Sequence, residues 1–159
     1  MTLRVGLGFD VHRLVPGRPC ILGGLALPHP AGPDGHSDGD AVLHALADAI
    51  LGAAGLDDLG TLFPPDDPRF KDADSRTLLR ESVARAAAAG WRIVNVDLAI
   101  VADAPRIGPH RAALRASIAQ ALGVPAELVN LKGKSTEGLG ALAGGKGIAV
   151  QAVCLLERD

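Results

Sequence analysis

The chain has 159 residues, a formal net charge of −2 and 48% hydrophobic residues, with aromatics at only 3% and no tyrosine. That length suits a single domain over residues 1–159, with a core built from Ala, Val, Leu and Ile. The absence of a basic cluster argues against nucleic acid; with no bilayer-length apolar run and no signal-peptide pattern, a cytoplasmic protein without membrane contact is expected.

Residues 3–12, Leu-Arg-Val-Gly-Leu-Gly-Phe-Asp-Val-His, read as a strand. Gly6 and Gly8 imitate the opening of a dinucleotide fingerprint, but Val11 stands at the third glycine position and no helix follows, so that motif fails. Residues i and i+2 of a strand share a face, so Asp10 and His12 emerge side by side. Residues 18–28 pair back as a hairpin around Gly23-Gly24, and Pro28 to Gly35 is a Pro/Gly-rich loop. Cys20 and Cys154 lie in apolar, strand-like contexts and read as small core residues, not as a disulfide or metal pair.

A helix is expected from Ser37 to Ala54, capped by Ser37 or Asp38, with Val42, Leu43, Leu46, Ala49, Ile50 and Ala53 as its buried face. Asp40, His44 and Asp48 stand four apart on another stripe, which reads either as an imidazole flanked by two carboxylates or as a solvated helix face. Joined to Asp10 and His12, His44 completes a set of three donors with an open fourth position, the arrangement of a catalytic zinc. The loop before this helix brings His36 and Ser37 to its start, where free amides favour an anion.

The run Pro64-Pro-Asp-Asp-Pro68 reads as an irregular, mobile flap. A second helix spans Ser75 to Ala89, with Leu78, Leu79, Val83 and Ala86 inward, Arg76, Arg80 and Arg85 outward, and Gly90 at its end. Trp91 to Val101 is a strand, Ala102 to Arg106 a sharp turn, and Pro109 to Leu122 a third helix stopped by Gly123. Residues 128–133 and 147–156 are the last strands. Between them, Lys132-Gly-Lys-Ser-Thr-Glu137 imitates the end of a P-loop, but Leu128 occupies the opening glycine position. The segment still offers ammonium groups, hydroxyls and a carboxylate suited to a diphosphate and its divalent ion, or else is an ordinary polar turn.

Taken together, Gly8-Phe-Asp-Val-His12, Gly35-His-Ser-Asp-Gly-Asp40, His44-Ala-Leu-Ala-Asp48, Asp58-Leu-Gly60, Ala73-Asp-Ser75, Asn95-Val-Asp97, Ala104-Pro105 and Ser135-Thr-Glu137 closely resemble the 2-C-methyl-D-erythritol 2,4-cyclodiphosphate synthases, over essentially the whole chain. The resemblance implies an α+β fold: a mixed sheet of about four main strands with helices on one face. It also implies a chorismate-mutase-like homotrimer with sheets packed around the threefold axis and active sites between subunits. The reaction it implies converts a CDP-linked methylerythritol 2-phosphate to the cyclic diphosphate and CMP. Asp10, His12 and His44 match the zinc ligands, one zinc-type cation per subunit, and Glu137 matches the ligand of a second ion, magnesium or manganese, on the substrate diphosphate. His36 and Ser37 match the phosphate-holding residues, Asp58, Leu59 and Gly60 the erythritol segment, and Ala102, Asp103, Ala104, Pro105 and Arg106 the cytosine loop. His36 and Ser135 match transition-state stabilisers; Lys134, Thr136 and Asp67 complete the expected substrate contacts, alongside the metal-site residues Asp10 and His12.

Two departures stand out. Family members commonly carry Asp-Thr-Asp where this chain has Pro65-Asp66-Asp67, so the flap's grip on the substrate is expected to differ, with Asp58 carrying more of it. The run Gly140-Ala-Leu-Ala-Gly-Gly-Lys146 replaces the family's axial Phe, Arg and Glu by Ala141, Gly144 and Lys146, so an isoprenoid diphosphate on the axis would depend on Lys146 for its cation. A metal-dependent phosphoesterase and a nucleotide-sensing trimer are the alternatives from other classes.

Overall fold

The computed structural model describes residues 1–64 and 66–159. Among these, the long strands β1 (Thr2–Pro16), β5 (Arg92–Val101), β6 (Val129–Lys134) and β7 (Gly147–Arg158), with the short edge strand β4 (Ala31–Pro33), form a five-stranded sheet ordered β4-β1-β7-β5-β6. Only β5 and β6 run parallel; β1 pairs antiparallel with β7 in a register that sets Asp10 opposite Val150 and His12 opposite Ile148. The mixed α+β sheet agrees with the expectation, with β4 as an addition: the segment expected to be all loop pairs Leu14 with Pro33, and proline is tolerated there because the strand is an edge. The hairpin β2 (Cys20–Leu22) and β3 (Leu25–Leu27) turns through Gly23 and Gly24, both left-handed at φ +57° and +77°, a conformation glycine adopts without steric cost.

Helix α1 (Ala41–Ala54) lies across β1 and β7 and is itself covered by α3 (Ser75–Ala88), so it is apolar on nearly every side. Its expected inward face is fully buried, and so are Ala41, Ala45, Ala47 and Leu51. Helix α4 (Arg111–Leu122) packs against β6 and α3, and the single-turn α2 (Leu59–Leu62) follows α1. The even residues of β1 from Gly6 to Leu14, of β5 beyond its bulge from Val96 to Ile100, and of β7 from Ile148 to Leu156 face these helices. On β1 the odd residues Leu3, Val5, Leu7, Phe9 and Val11 face away and are half to two-thirds exposed, a contiguous apolar stripe uncovered by any described element.

Helix α1 begins later than its sequence suggests. The cap is Asp40, not Ser37 or Asp38: its buried carboxylate accepts from the N–H groups of Val42 and Leu43, and from those of Gly23 and Gly24 in the hairpin. This carboxylate therefore cannot flank His44; Asp48 stays on the His44 side of the helix, lining the same cavity while accepting from Leu59 N–H at 2.7 Å. Within the expected flap, Pro68 opens a 3-10 turn (Pro68–Phe70) capped by Asp67, so part of that run is regular; the expectation resting on Pro65 lies outside the described residues.

Candidate metal centre and substrate cavities

Strand β1 delivers Asp10 and His12 to its helix-facing side, and the first turn of α1 brings His44 over them from 32 residues further along the chain. One donor atom from each lies within 4.8 Å of the others. His12 Nε2 stands 2.8 Å and His44 Nδ1 3.1 Å from the same carboxylate oxygen, Asp10 Oδ2. All three side chains are mostly buried but keep an open edge, at 14–24% exposure.

The outer side of His12 is fixed as well. Its Nδ1 meets the backbone carbonyl of Asp34, which can only accept, so Nδ1 carries the proton and the Nε2 lone pair faces Asp10. Burial pushes the Asp10 carboxyl upward, but with no cation bound the two imidazoles, when protonated toward it, donate to it and attract it and so hold it well below the usual carboxylate range; in the neutral tautomers the same two nitrogens turn lone pairs toward the site. Burial lowers His12, and the Asp10 carboxylate outweighs this and raises it. Two imidazole nitrogens and an ionised carboxylate, convergent and partly open, are a donor set suited to a divalent cation with a vacant coordination position.

A cavity of about 350 Å³ opens over this set, lined also by His36, Ser37, Asp48, Leu59, Gly60 and Phe63. The expected phosphate-holding residues and the segment after Asp58 thus meet the metal ligands. Asp58 itself caps α2 through Thr61 N–H, and Asp67 is paired to Arg69 without lining the cavity.

Of the remaining expected residues, five gather elsewhere, while Ala104, Pro105, Thr136 and Glu137 line neither cavity. Ala102, Asp103, Arg106, Lys134 and Ser135 line a second cavity of about 460 Å³ that shares no lining residue with the first. Asp103 accepts from the Thr136 N–H and hydroxyl and from Gly144 N–H, bonds that hold its carboxyl below the usual range and tie the loop after β5 to both ends of the β6–β7 connection. Ser135 Oγ donates to Glu137 Oε1 at 2.5 Å. The bracing by Asp103 and the carbonyl of Asp34 were missed from sequence, because both act on residues more than twenty positions away and neither belongs to a periodic pattern.

Residues 3–157 match the model of the YgbB family. A protein of Bordetella avium strain 197N named 2-C-methyl-D-erythritol 2,4-cyclodiphosphate synthase is 59% identical over 159 residues, covering 100% of this chain and 98% of that one. Among solved structures, the bifunctional IspDF of Campylobacter jejuni superposes with a TM-score of 0.95 at 36% identity; 99% of this chain is covered, but only 43% of that longer protein. A 2C-methyl-D-erythritol-2,4-cyclodiphosphate synthase in its CDP-bound form superposes with a TM-score of 0.89 at 42% identity, covering 97% of this chain and 100% of that one.

Proposed function

The chain belongs to the YgbB family, and from that premise we propose that it catalyses the reaction for which its relatives are named. In that reaction 4-diphosphocytidyl-2-C-methyl-D-erythritol 2-phosphate closes to 2-C-methyl-D-erythritol 2,4-cyclodiphosphate with release of CMP, a step of the non-mevalonate isoprenoid pathway carried out by a cytoplasmic enzyme. The observation that carries the reading is the convergence of Asp10, His12 and His44 at the floor of a cavity.

The substrate brings its own nucleophile. An oxygen of the 2-phosphate attacks the β-phosphorus, a new P–O–P bond forms, and the bond from the β-phosphorus to the bridging oxygen breaks, with its electron pair leaving on CMP; the enzyme is in this sense a cyclising phosphorus–oxygen lyase. A phosphate monoester is largely ionised near neutral pH, so no strong protein base is needed. The protein's task is to bring two anions together and to neutralise charge as it shifts.

Asp10, His12 and His44 would hold a zinc-type cation, and Glu137 a magnesium or manganese ion with the substrate diphosphate, each supplying Lewis-acid polarisation of phosphate oxygens. His36 and Ser37 orient the 2-phosphate at the mouth of the first cavity. Asp58, Leu59 and Gly60 bind the erythritol, with Asp67 nearby. At the second cavity the Ala102 to Arg106 loop receives cytosine, while Lys134 and Ser135 donate to the diphosphate and Thr136, whose own N–H and hydroxyl go to Asp103, holds that segment in place for substrate; Ser135 and His36 stabilise the transition state.

The two halves of this site belong to neighbouring subunits of a homotrimer. Two separate cavities with no common lining residue support this division. So does the apolar stripe of β1, which is the kind of surface that packs around a threefold axis.

Phosphorus NMR on the protein with its substrate, zinc and magnesium tests the reading. CMP and a cyclic diphosphate are expected, and both should vanish in His44→Ala. Release of inorganic phosphate instead would make the protein a phosphoesterase, and CDP binding without turnover would make it a sensor.

A further inference from the structure

Two residues outside the donor set, Asp38 and Ser75, reach the donor His44 in addition to any part they play in starting α3. Ser75 opens α3 but does not cap it; Asp74 does that, accepting from Arg76 N–H. Ser75 is 1% exposed, and its N–H and hydroxyl both donate to one carboxylate, to Asp38 Oδ2 at 3.0 Å and to Asp38 Oδ1 at 2.5 Å. Asp38 is in turn held from both sides, its N–H donating to the carbonyl of Ala73 at 3.2 Å and its Oδ1 accepting from Asp40 N–H at 3.1 Å. The segments that precede α1 and α3 are thereby locked to each other beside the metal set.

The hydroxyl of Ser75 also stands 2.8 Å from His44 Nε2. A serine hydroxyl has one proton. Here that proton goes to a carboxylate, the stronger acceptor, so toward His44 the Ser75 oxygen offers only lone pairs. Nε2 must then carry the imidazole proton and donate it to Ser75 Oγ, with Ser37 Oγ, 3.1 Å from Nε2 and 3.5 Å from Ser75 Oγ, sharing it as a second acceptor on the same side. The Nδ1 lone pair is left facing Asp10, as the Nε2 lone pair of His12 is.

We infer that Asp38 and Ser75 are positioning residues for the metal centre: an Asp38–Ser75–His44 relay that fixes the tautomer and ring orientation of His44 and raises its strength as a donor. The inference rests on the metal reading above and extends it to two residues that touch neither metal donor atom nor substrate. Outer partners of metal-bound histidines typically control affinity by about 10- to 100-fold.

The test is metal binding by the full chain, read by the visible spectrum of bound cobalt(II) and by competition for zinc with a chromophoric chelator. Wild-type protein should take up one cobalt per chain and His44→Ala none. Ser75→Ala and Asp38→Asn should bind about 10- to 100-fold more weakly, with shifted ligand-field bands. Ser82→Ala, which deletes another buried hydroxyl of α3, one that donates to the Leu78 carbonyl, should bind as wild type. Wild-type affinity and spectrum in folded Ser75→Ala and Asp38→Asn would overturn the relay and leave the metal centre standing. A folded wild-type protein that takes up no cobalt would overturn the metal reading itself. Should neither variant fold, nitrogen-15 NMR of zinc-loaded wild-type protein decides: a proton on His44 Nε2 supports the relay, and one on Nδ1 refutes it.

Discussion

A Cβ added at Gly8 would stand 1.8 Å from the carbonyl oxygen of Ala45, so strand β1 and helix α1 meet there backbone against backbone. Gly6 stands in the same relation to Ala49. Gly8→Ala is therefore expected to push α1 off the strand and to cost on the order of 3 kcal/mol or more. Urea denaturation gives the loss directly. A variant of unchanged stability would show that the helix can shift without penalty.

Asp40 joins the β2–β3 hairpin to the start of α1 through four N–H groups, three of them buried and that of Gly24 half-buried. Asp40→Ala orphans all of them, and each unsatisfied donor costs about 1–3 kcal/mol. The expected outcome is a protein that fails to fold or melts far below wild type by circular dichroism. A small shift in melting temperature would mean that water enters to replace the carboxylate.

Burial pushes the thiols of Cys20 and Cys154 up to about 11 from an ordinary value of 9.0. Native protein should accordingly resist alkylation at neutral pH and label fully only in denaturant. The linkage has a definite sign. The folded state holds these protons more tightly than the unfolded state, so their contribution to stability is complete below pH 9.0 and is lost as pH rises through about 11. Chemical denaturation across that range should show stability falling with pH, and the fall should shrink in a Cys20→Ala, Cys154→Ala double variant.

If one subunit supplies His44 and its neighbour Ser135, two dead enzymes can repair each other. His44→Ala and Ser135→Ala homotrimers should each be nearly inactive. Mixed trimers made by joint refolding at equal amounts should regain about a quarter of wild-type turnover, since random assembly gives that share of sites two intact halves. Mixtures no more active than their components would place the whole site within one chain.

Asp103 braces the loops around Thr136 and Gly144. Asp103→Ala should release both, weakening CDP binding about tenfold because the loops must then be ordered on binding. Calorimetry measures this, and unchanged affinity would show that the loops hold their shape without the carboxylate.

Much of this was legible in the sequence. Alternation in residues 3–12 placed Asp10 and His12 on one face, Gly23-Gly24 marked the hairpin, and the spacing of Leu43, Leu46 and Ile50 oriented α1. The stripe of Asp40, His44 and Asp48 misled because helical spacing assumes that all three residues are in the helix, whereas Asp40 is its cap and turns into the core. Gly6 and Gly8 invited comparison with nucleotide-binding turns, while their function is to let a helix approach. Nothing local marks that use, since it depends on what the chain brings over the strand forty residues later. Ser75 and Asp38 were hidden for the same reason: each is an ordinary helix-start residue until tertiary structure joins them.

Strand β1 carries the helix seat and the metal donors on its even positions and an apolar stripe on its odd ones. Inserting or deleting one residue ahead of Asp10 would exchange the two sets, turning Leu7 and Phe9 against α1 and the donors outward. A change of two residues would restore the faces but carry Asp10 and His12 about 7 Å along the sheet, farther than the 4.8 Å that spans the donor set. The interval from Gly6 to His12 thus behaves like a reading frame, in which one change of length displaces the helix seat and the metal donors together.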